Sequence, residues 1–165
     1  MGLEVFEMDT QCPHPGVSLY DTVAQRETNG GWVTVRSKSP LTEDNHQWAV
    51  HIVDQGEGTD GSGLMVGMLP ELSSSALNGM GSRYISELGG WCISRAGDTY
   101  GSWRCERVEF SSGCVLEFDW DAQSGTLYIV CGRRKVTAHI PSLSPKDLLY
   151  PAVSMYYLNQ KVVFV

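Results

Sequence analysis

Hydrophobic and polar positions alternate most clearly in the last third of the chain. Cys114, Leu116, Phe118 and Trp120 interleave with Val115, Glu117, Asp119 and Asp121, so a strand there has one apolar and one mostly acidic face. Residues 122–125 carry turn chemistry and residues 126–130 are a second β-prone run. Together they predict a hairpin, with a further turn at Cys131 and Gly132. The same period recurs at 47–54, where Trp48, Val50 and Ile52 share a face, and at 32–36. Further strands are expected within 17–25 and at 64–68, 90–94, 102–108, 135–140, 150–158 and 161–165. Asn29, Gly30 and Gly31 supply a turn, while 37–45, 55–63, 95–101 and 141–149 read as loops or turns. The least β-like stretch is 70–86, where residues 73–77 predict a short helical turn. No long helical pattern, repeat or linker interrupts this order, and the class it predicts is all-β.

Composition narrows the picture. The 165 residues correspond to one domain, long enough to bury ~70% of the unfolded surface without staples. The 18 glycines and only 19% charged residues suit short strands joined by many turns. A net charge of −7 argues against nucleic acid or an anionic membrane as partner. The one tight basic cluster, Arg133, Arg134 and Lys135, is expected in a solvated hairpin turn. No apolar run approaches a membrane span. Glu4, Glu7 and Asp9 exclude a signal peptide, and Phe6 stands where a myristoylation motif needs Ser or Thr. The cysteines are Cys12, Cys92, Cys105, Cys114 and Cys131, an odd number without a C-x-x-C pair. Free thiols in an intracellular compartment, cytoplasmic or nuclear, are expected.

Candidate chemistry is sparse. Glu117, Asp119 and Asp121 share a strand face, but a solvated face is the simpler reading. Asp54, Glu57 and Asp60 lie in a glycine-rich loop that resembles a cation site only in composition, since the EF-hand spacing is absent. Cys12 and His14, with His46, His51 and His139 far off, form no pair of zinc ligands at knuckle spacing. No nucleophile elbow or phosphate loop occurs. No catalytic residue, metal or cofactor is therefore assigned. The aromatic residues are more informative. Trp48, Trp91 and Trp120 fall on apolar strand faces and are expected in the core. Tyr84, Tyr100 and Trp103 lie near loops, and Tyr156 and Tyr157, adjacent on a predicted strand, must point opposite ways. Exposed Tyr and Trp anchor interfaces because they bury much area at small entropic cost.

Several blocks then appear in a characteristic order: Gln-Trp-Ala-Val-His-Ile at 47–52, Met-Val-Gly-Met at 65–68, Gly-Trp-Cys-Ile-Ser at 90–94, the hairpin of 113–127 and Tyr-Pro-Ala-Val-Ser at 150–154. This order resembles the SPRY family over 17–165, with 1–16 as a lead-in. Ala49 stands where that family usually has Glu, and Cys131-Gly132 where it usually has Asn-Gly. The resemblance implies an antiparallel β-sandwich of SPRY or concanavalin-like jelly-roll type that binds a protein or peptide and catalyses nothing. It is also similar to the SOCS-box SPRY proteins, whose pocket would fall on Ala24 and Gln25, on Tyr84 and on Tyr156, Tyr157 and Leu158. The Arg and Pro of that subfamily are replaced by Tyr20 and Thr22, and its Trp-Gly by Tyr157 and Leu158, so the residues behind its Asn-rich peptide specificity differ here. The expected function is a monomeric recognition or adaptor domain with a peptide partner, without nucleic acid or membrane. The alternatives are a lectin-like sandwich with calcium in the 54–63 loop, and a structural subunit of a larger complex.

Overall fold

The computed structural model describes residues 5–11, 14–58, 61–141 and 143–165. Among them, thirteen strands form two antiparallel sheets. The larger sheet contains β1 (Val17–Tyr20), β2 (Val23–Arg26), β4 (Gln47–Asp54), β8 (Arg104–Cys105), β9 (Val115–Asp121), β10 (Thr126–Cys131), β11 (Arg134–His139) and β13 (Lys161–Phe164). Its spatial order is β1-β2-β13-β4-β9-β10-β11-β8. The smaller sheet joins β3 (Val33–Arg36), β5 (Leu64–Pro70), β6 (Trp91–Ser94), β7 (Thr99–Tyr100) and β12 (Leu149–Met155) in the order β3-β12-β5-β6-β7. The chain is thus an all-β antiparallel sandwich, all-β as the alternation predicts and a sandwich as the SPRY resemblance implies.

The two sheets bury different patterns. On the larger sheet only the inner face is covered, so β4 and β9 alternate buried and open positions. Trp48, Val50 and Ile52 meet Leu116, Phe118 and Trp120 in the main core, and the Trp48 and Phe118 rings stack at 4.7 Å. In the smaller sheet β12 is buried along its whole length and β5 in all but its last residue. Its inner face joins the main core through Val35, Val66, Ile93 and Val153. Its outer face carries Met65, Leu69, Cys92 and Ala152, which are roofed by Met80, Ile85 and Leu88. The roof is the short helix α1 (Ser74–Gly79) and a 3-10 turn (Ile85–Leu88). This is the stretch that lacked a β pattern, because its task is to cover a sheet.

Gly67 lies between β6 and β12, opposite Cys92 and Ala152. A Cβ there would run into the Trp91 carbonyl oxygen, so the Met-Val-Gly-Met block needs glycine for backbone approach. Residues 6–9, read from the sequence within a polar lead-in, contribute Phe6 and Met8 to the main core. Met8 bridges Ser37, and Lys38 N–H donates to the Glu7 carbonyl at 2.9 Å, extending the β3 edge. Phe6 and Met8 alternate with Glu7 and Asp9, but a run this short gives little signal.

Other boundaries also differ. The single strand expected within 17–25 is a hairpin, turning at Asp21 with φ of 48°. Arg134 and Lys135 lie on β11 rather than in the turn. The turn expected at 95–101 contains β7, and only Arg104 and Cys105 of 102–108 pair as a strand. Strand β12 ends at Met155, three residues before the expected limit.

Two expectations follow. Gly67→Ala should cost about 3 kcal/mol, because the new methyl meets backbone that cannot move aside, and urea denaturation measures it. Burial pushes the Cys92 thiol up to about 12, and burial followed by Glu106 does the same for Cys105. At pH 8 only ~10⁻⁴ of either is thiolate, so iodoacetamide should leave both unmodified in the native protein and label them on unfolding, as read by peptide mass.

Candidate functional site

Five aromatic rings form a continuous arch over the outer face of the smaller sheet, from Tyr100 on β7 to the end where β12 stops. Tyr100 meets Tyr84 at 6.1 Å, Tyr84 meets Trp32 at 5.2 Å, Trp32 meets Tyr156 at 5.2 Å and Tyr156 meets Tyr157 at 5.0 Å. All five side chains are half-buried, with the contacts edge-on or tilted. Such geometry suits the ring quadrupoles and leaves ring surface open to a ligand. Trp32, Tyr84 and Tyr100 also pack on the small cluster above Met65 and Cys92.

Two buried hydrogen-bond networks set these rings. In the first, the Thr34 hydroxyl donates to the Arg83 carbonyl at 2.6 Å and lies 2.7 Å from the Ser154 hydroxyl. The Ser154 oxygen accepts Ile85 N–H at 2.9 Å. With the Thr34 hydroxyl committed to Arg83, Ser154 donates to Thr34, and every proton has an acceptor. Arg83 and Ile85 flank Tyr84, so this pair fixes the tyrosine's height above the sheet. Ser154 is the serine of the Tyr-Pro-Ala-Val-Ser block, which gives that residue a structural reason.

The second network centres on Gln160, which is 1% exposed. Its Oε1 accepts Tyr156 N–H at 2.7 Å and Tyr157 N–H at 3.0 Å. Its Nε2 donates to the Gln55 carbonyl at 3.2 Å and the Gly63 carbonyl at 2.8 Å. One amide therefore uses all four of its hydrogen-bonding positions to tie the 156–160 turn to the glycine-rich loop. It also explains where β12 stops, because the next two N–H groups turn to Gln160 instead of to a strand. Tyr156 and Tyr157 consequently follow the strand and do not face opposite ways across it. The Tyr157 ring lies against Gly58 and Gly63, where a Cβ on either glycine would overlap it. Asn159, in the left-handed region at φ 72°, donates from Nδ2 to Glu57 at 2.9 Å. The third loop joins through Leu158 N–H to the Asn29 side chain at 3.3 Å. Fully buried Arg26 shapes that loop, donating to the carbonyls of Thr28 at 3.0 Å and Gly30 at 2.8 Å.

Of the residues expected to bind a partner, Tyr84, Tyr156, Tyr157 and Leu158 come together at this end. Gln25 lies on the outer face of β2, opposite Lys161, at the same end of its strand. Tyr20, the last residue of β1, and Thr22, in the hairpin turn, sit at the far end of β2, with Tyr20 50% exposed. Ala24 is a correction: it is fully buried in the main core opposite Val162, so no partner reaches it. Alternation on a strand puts it inward with Arg26 while Val23 and Gln25 point out. Sequence reasoning missed Trp32 as part of the arch, although its place after Asn29-Gly-Gly marked it as a strand-entry aromatic. It also missed Gln160, which no local pattern distinguishes.

Most of the charged candidates are engaged within the protein, while Glu117 is exposed on β9. Asp54 accepts Gly56 N–H at 2.8 Å and Glu57 binds Asn159, whereas Asp60 lies outside the described residues, as does Cys12. Asp119 pairs with His46 at 2.7 Å and accepts Gln47 Nε2 at 3.0 Å. Asp121 is held below its ordinary carboxylate range, first by the Ser124 hydroxyl and then by turn N–H groups. His14 accepts Gly16 N–H at 2.8 Å, and burial, then Arg26, lowers its pKa. Among the described residues, no three His, Cys, Asp or Glu side chains gather closely enough to hold a metal ion, and no helix is long and apolar enough to cross a membrane.

No family model and no curated protein matches the chain. Solved structures do. The chain is similar to the neuralized NHR1 domain of Drosophila melanogaster at 12% identity and TM-score 0.68, covering 98% of each chain. It is similar to the SPRY domain of human HERC1 at 18% identity and TM-score 0.61, covering 99% of this chain and 96% of that one. The TRIM65 PSpry domain aligns at 16% identity and TM-score 0.68, covering 99% of this chain and 91% of that one. At these identities the likeness is one of fold, and the fold is the SPRY-type β-sandwich.

Proposed function

We propose that the chain is a non-catalytic interaction domain that binds an extended peptide segment of a partner protein across the aromatic arch. The observation that supports this most is that five neighbouring rings are half-open while the backbone beneath them is tied down by buried side chains. An arch of this kind offers apolar area with little ordering cost, which is where interface affinity comes from. Trp32, Tyr84 and Tyr156 would take one or two apolar side chains of the peptide. The Tyr hydroxyls and Gln25 at the margin would take its backbone groups. The role is that of a recognition or adaptor domain, acting as a monomer in the cytoplasm or nucleus, and the SPRY-type fold agrees with it.

Selection of a displayed random peptide library tests the reading. Enriched peptides should bind with roughly micromolar affinity, as is common for one or two anchors. In isothermal titration, Tyr84→Ala/Tyr156→Ala should weaken that binding by about tenfold or more, while Tyr20→Ala at the far end leaves it unchanged. Equal affinity of both variants would sink the proposal.

Gln160→Met keeps the volume but strands two N–H groups and two carbonyls, so it should lower stability by about 3 kcal/mol in urea denaturation. The same variant should weaken peptide binding, since the Tyr156 and Tyr157 backbone loses its anchor. Unchanged stability would show that these groups find other partners.

A further inference from the structure

The end of the sandwich opposite the arch holds a second concave surface. Strand β4 runs from Gln47 there to Asp54 beside the arch, and β12 runs from Leu149 there to Met155. Between the 41–46 loop, the β9–β10 turn and the 145–149 loop lies a groove of about 410 Å³. Its floor is apolar: Leu41, Trp120 and Leu149 belong to the main core and show one side to the groove. Its rim carries Glu43, Asp119, Asp121 and Asp147, and no Lys or Arg lines it among the described residues.

The rim carboxylates come from three separate segments, and no three acidic or other metal-ligating groups converge among the described residues. Negative charge spread around an apolar floor does not suit a compact metal ion. It suits a cation with a long apolar stem. Tyr128 sharpens the assignment. It is 46% exposed and stands directly across the β9–β10 pair from Asp119. The Asp119 carboxylate is fixed by His46 at 2.7 Å and Gln47 at 3.0 Å, so ring and carboxylate are presented side by side. A guanidinium can stack on such a ring while its N–H fork meets the carboxylate, which an ammonium does less well.

We propose that this groove docks an arginine-bearing, otherwise apolar segment of a partner protein. The arginine would pack over Tyr128 with its head at Asp119, and a neighbouring apolar side chain would lie on Leu41 and Leu149. Glu43 and Asp147 supply the surrounding negative field and speed encounter. This is independent of the aromatic arch, so the domain has two docking ends.

Fluorescence anisotropy on the intact chain tests the proposal. The probe is a fluorescein-labelled Gly-Ala-Leu-Arg-Ala-Leu-Gly peptide, with its Arg→Glu and Arg→Lys counterparts. The Arg peptide should bind below about 1 mM, weaken as salt rises, and exceed the Lys peptide, while the Glu peptide does not bind. Tyr128→Ala and Glu43→Gln/Asp147→Asn should each reduce affinity by about fivefold to tenfold with an unchanged melting temperature, since all three side chains are exposed or on the rim. Tyr84→Ala/Tyr156→Ala should change nothing. Absence of binding, equal binding of the Glu peptide, or equal affinity of the groove variants would overturn the assignment. So would sedimentation showing self-association of the chain alone that Glu43→Gln/Asp147→Asn abolishes, since the occupant would then be a second copy.

Discussion

Burial of the smaller sheet on both faces is the constraint from which the rest of the molecule follows. Strands β5 and β12 are apolar on both sides, and a sheet face of that kind cannot be left to water. The inner face has the larger sheet to meet. The outer face needs a separate cover, and only the 70–90 segment is available to supply it. That cover is thin, a six-residue helix and a single 3-10 turn, too short to be stable by themselves. They hold because Ile85 and Leu88 insert between Met65, Leu69 and Cys92, and because the Thr34 and Ser154 hydroxyls capture the backbone on either side of Tyr84.

The aromatic arch is a by-product of that roofing. Trp32, Tyr84 and Tyr100 are the rim of the outer cluster, half covered by it and half exposed at its edge. Tyr156 and Tyr157 extend the arch because Gln160 stops β12 and turns the chain back over the glycine-rich loop. Glycine in that loop is a packing requirement. Positions 58 and 63 lack side chains so that the Tyr157 ring can lie down on them. The same loop, read by composition, suggested a cation site, and its carboxylates at 54 and 57 are spent on internal hydrogen bonds instead.

The two ends of the sandwich differ in kind. One presents aromatic rings on a hydrogen-bonded scaffold. The other presents an apolar floor ringed by carboxylates, with an open tyrosine set against a fixed aspartate. A domain with a net charge of −7 thus concentrates part of its acidity at a concave end, where a low-dielectric floor strengthens its field.

The strands β4, β9 and β10 were legible because one of their faces meets water and the other the core, so hydrophobicity alternates with period two. The all-β class and the core placement of Cys92, Trp48, Trp91 and Trp120 follow from that local signal, while the sandwich was implied by the order of the SPRY-like blocks. Tyr84 was visible as an aromatic near a loop, whereas Tyr156 and Tyr157 were expected inside a strand that ends at Met155 before reaching them. Three things were decided only in three dimensions. Ala24 faces inward because β2 pairs with β13, whose residues are 137 positions or more away from it. Gln160 is the centre of the 156–160 turn because its amide joins two N–H groups of that turn to two carbonyls of the distant glycine-rich loop. The acidic groove exists because loops at 41–46 and 145–149 converge on the β9–β10 turn. Periodicity reports whether a side chain meets water or core. Which distant groups it meets depends on strand order and register, and those are set by the packing of the whole chain.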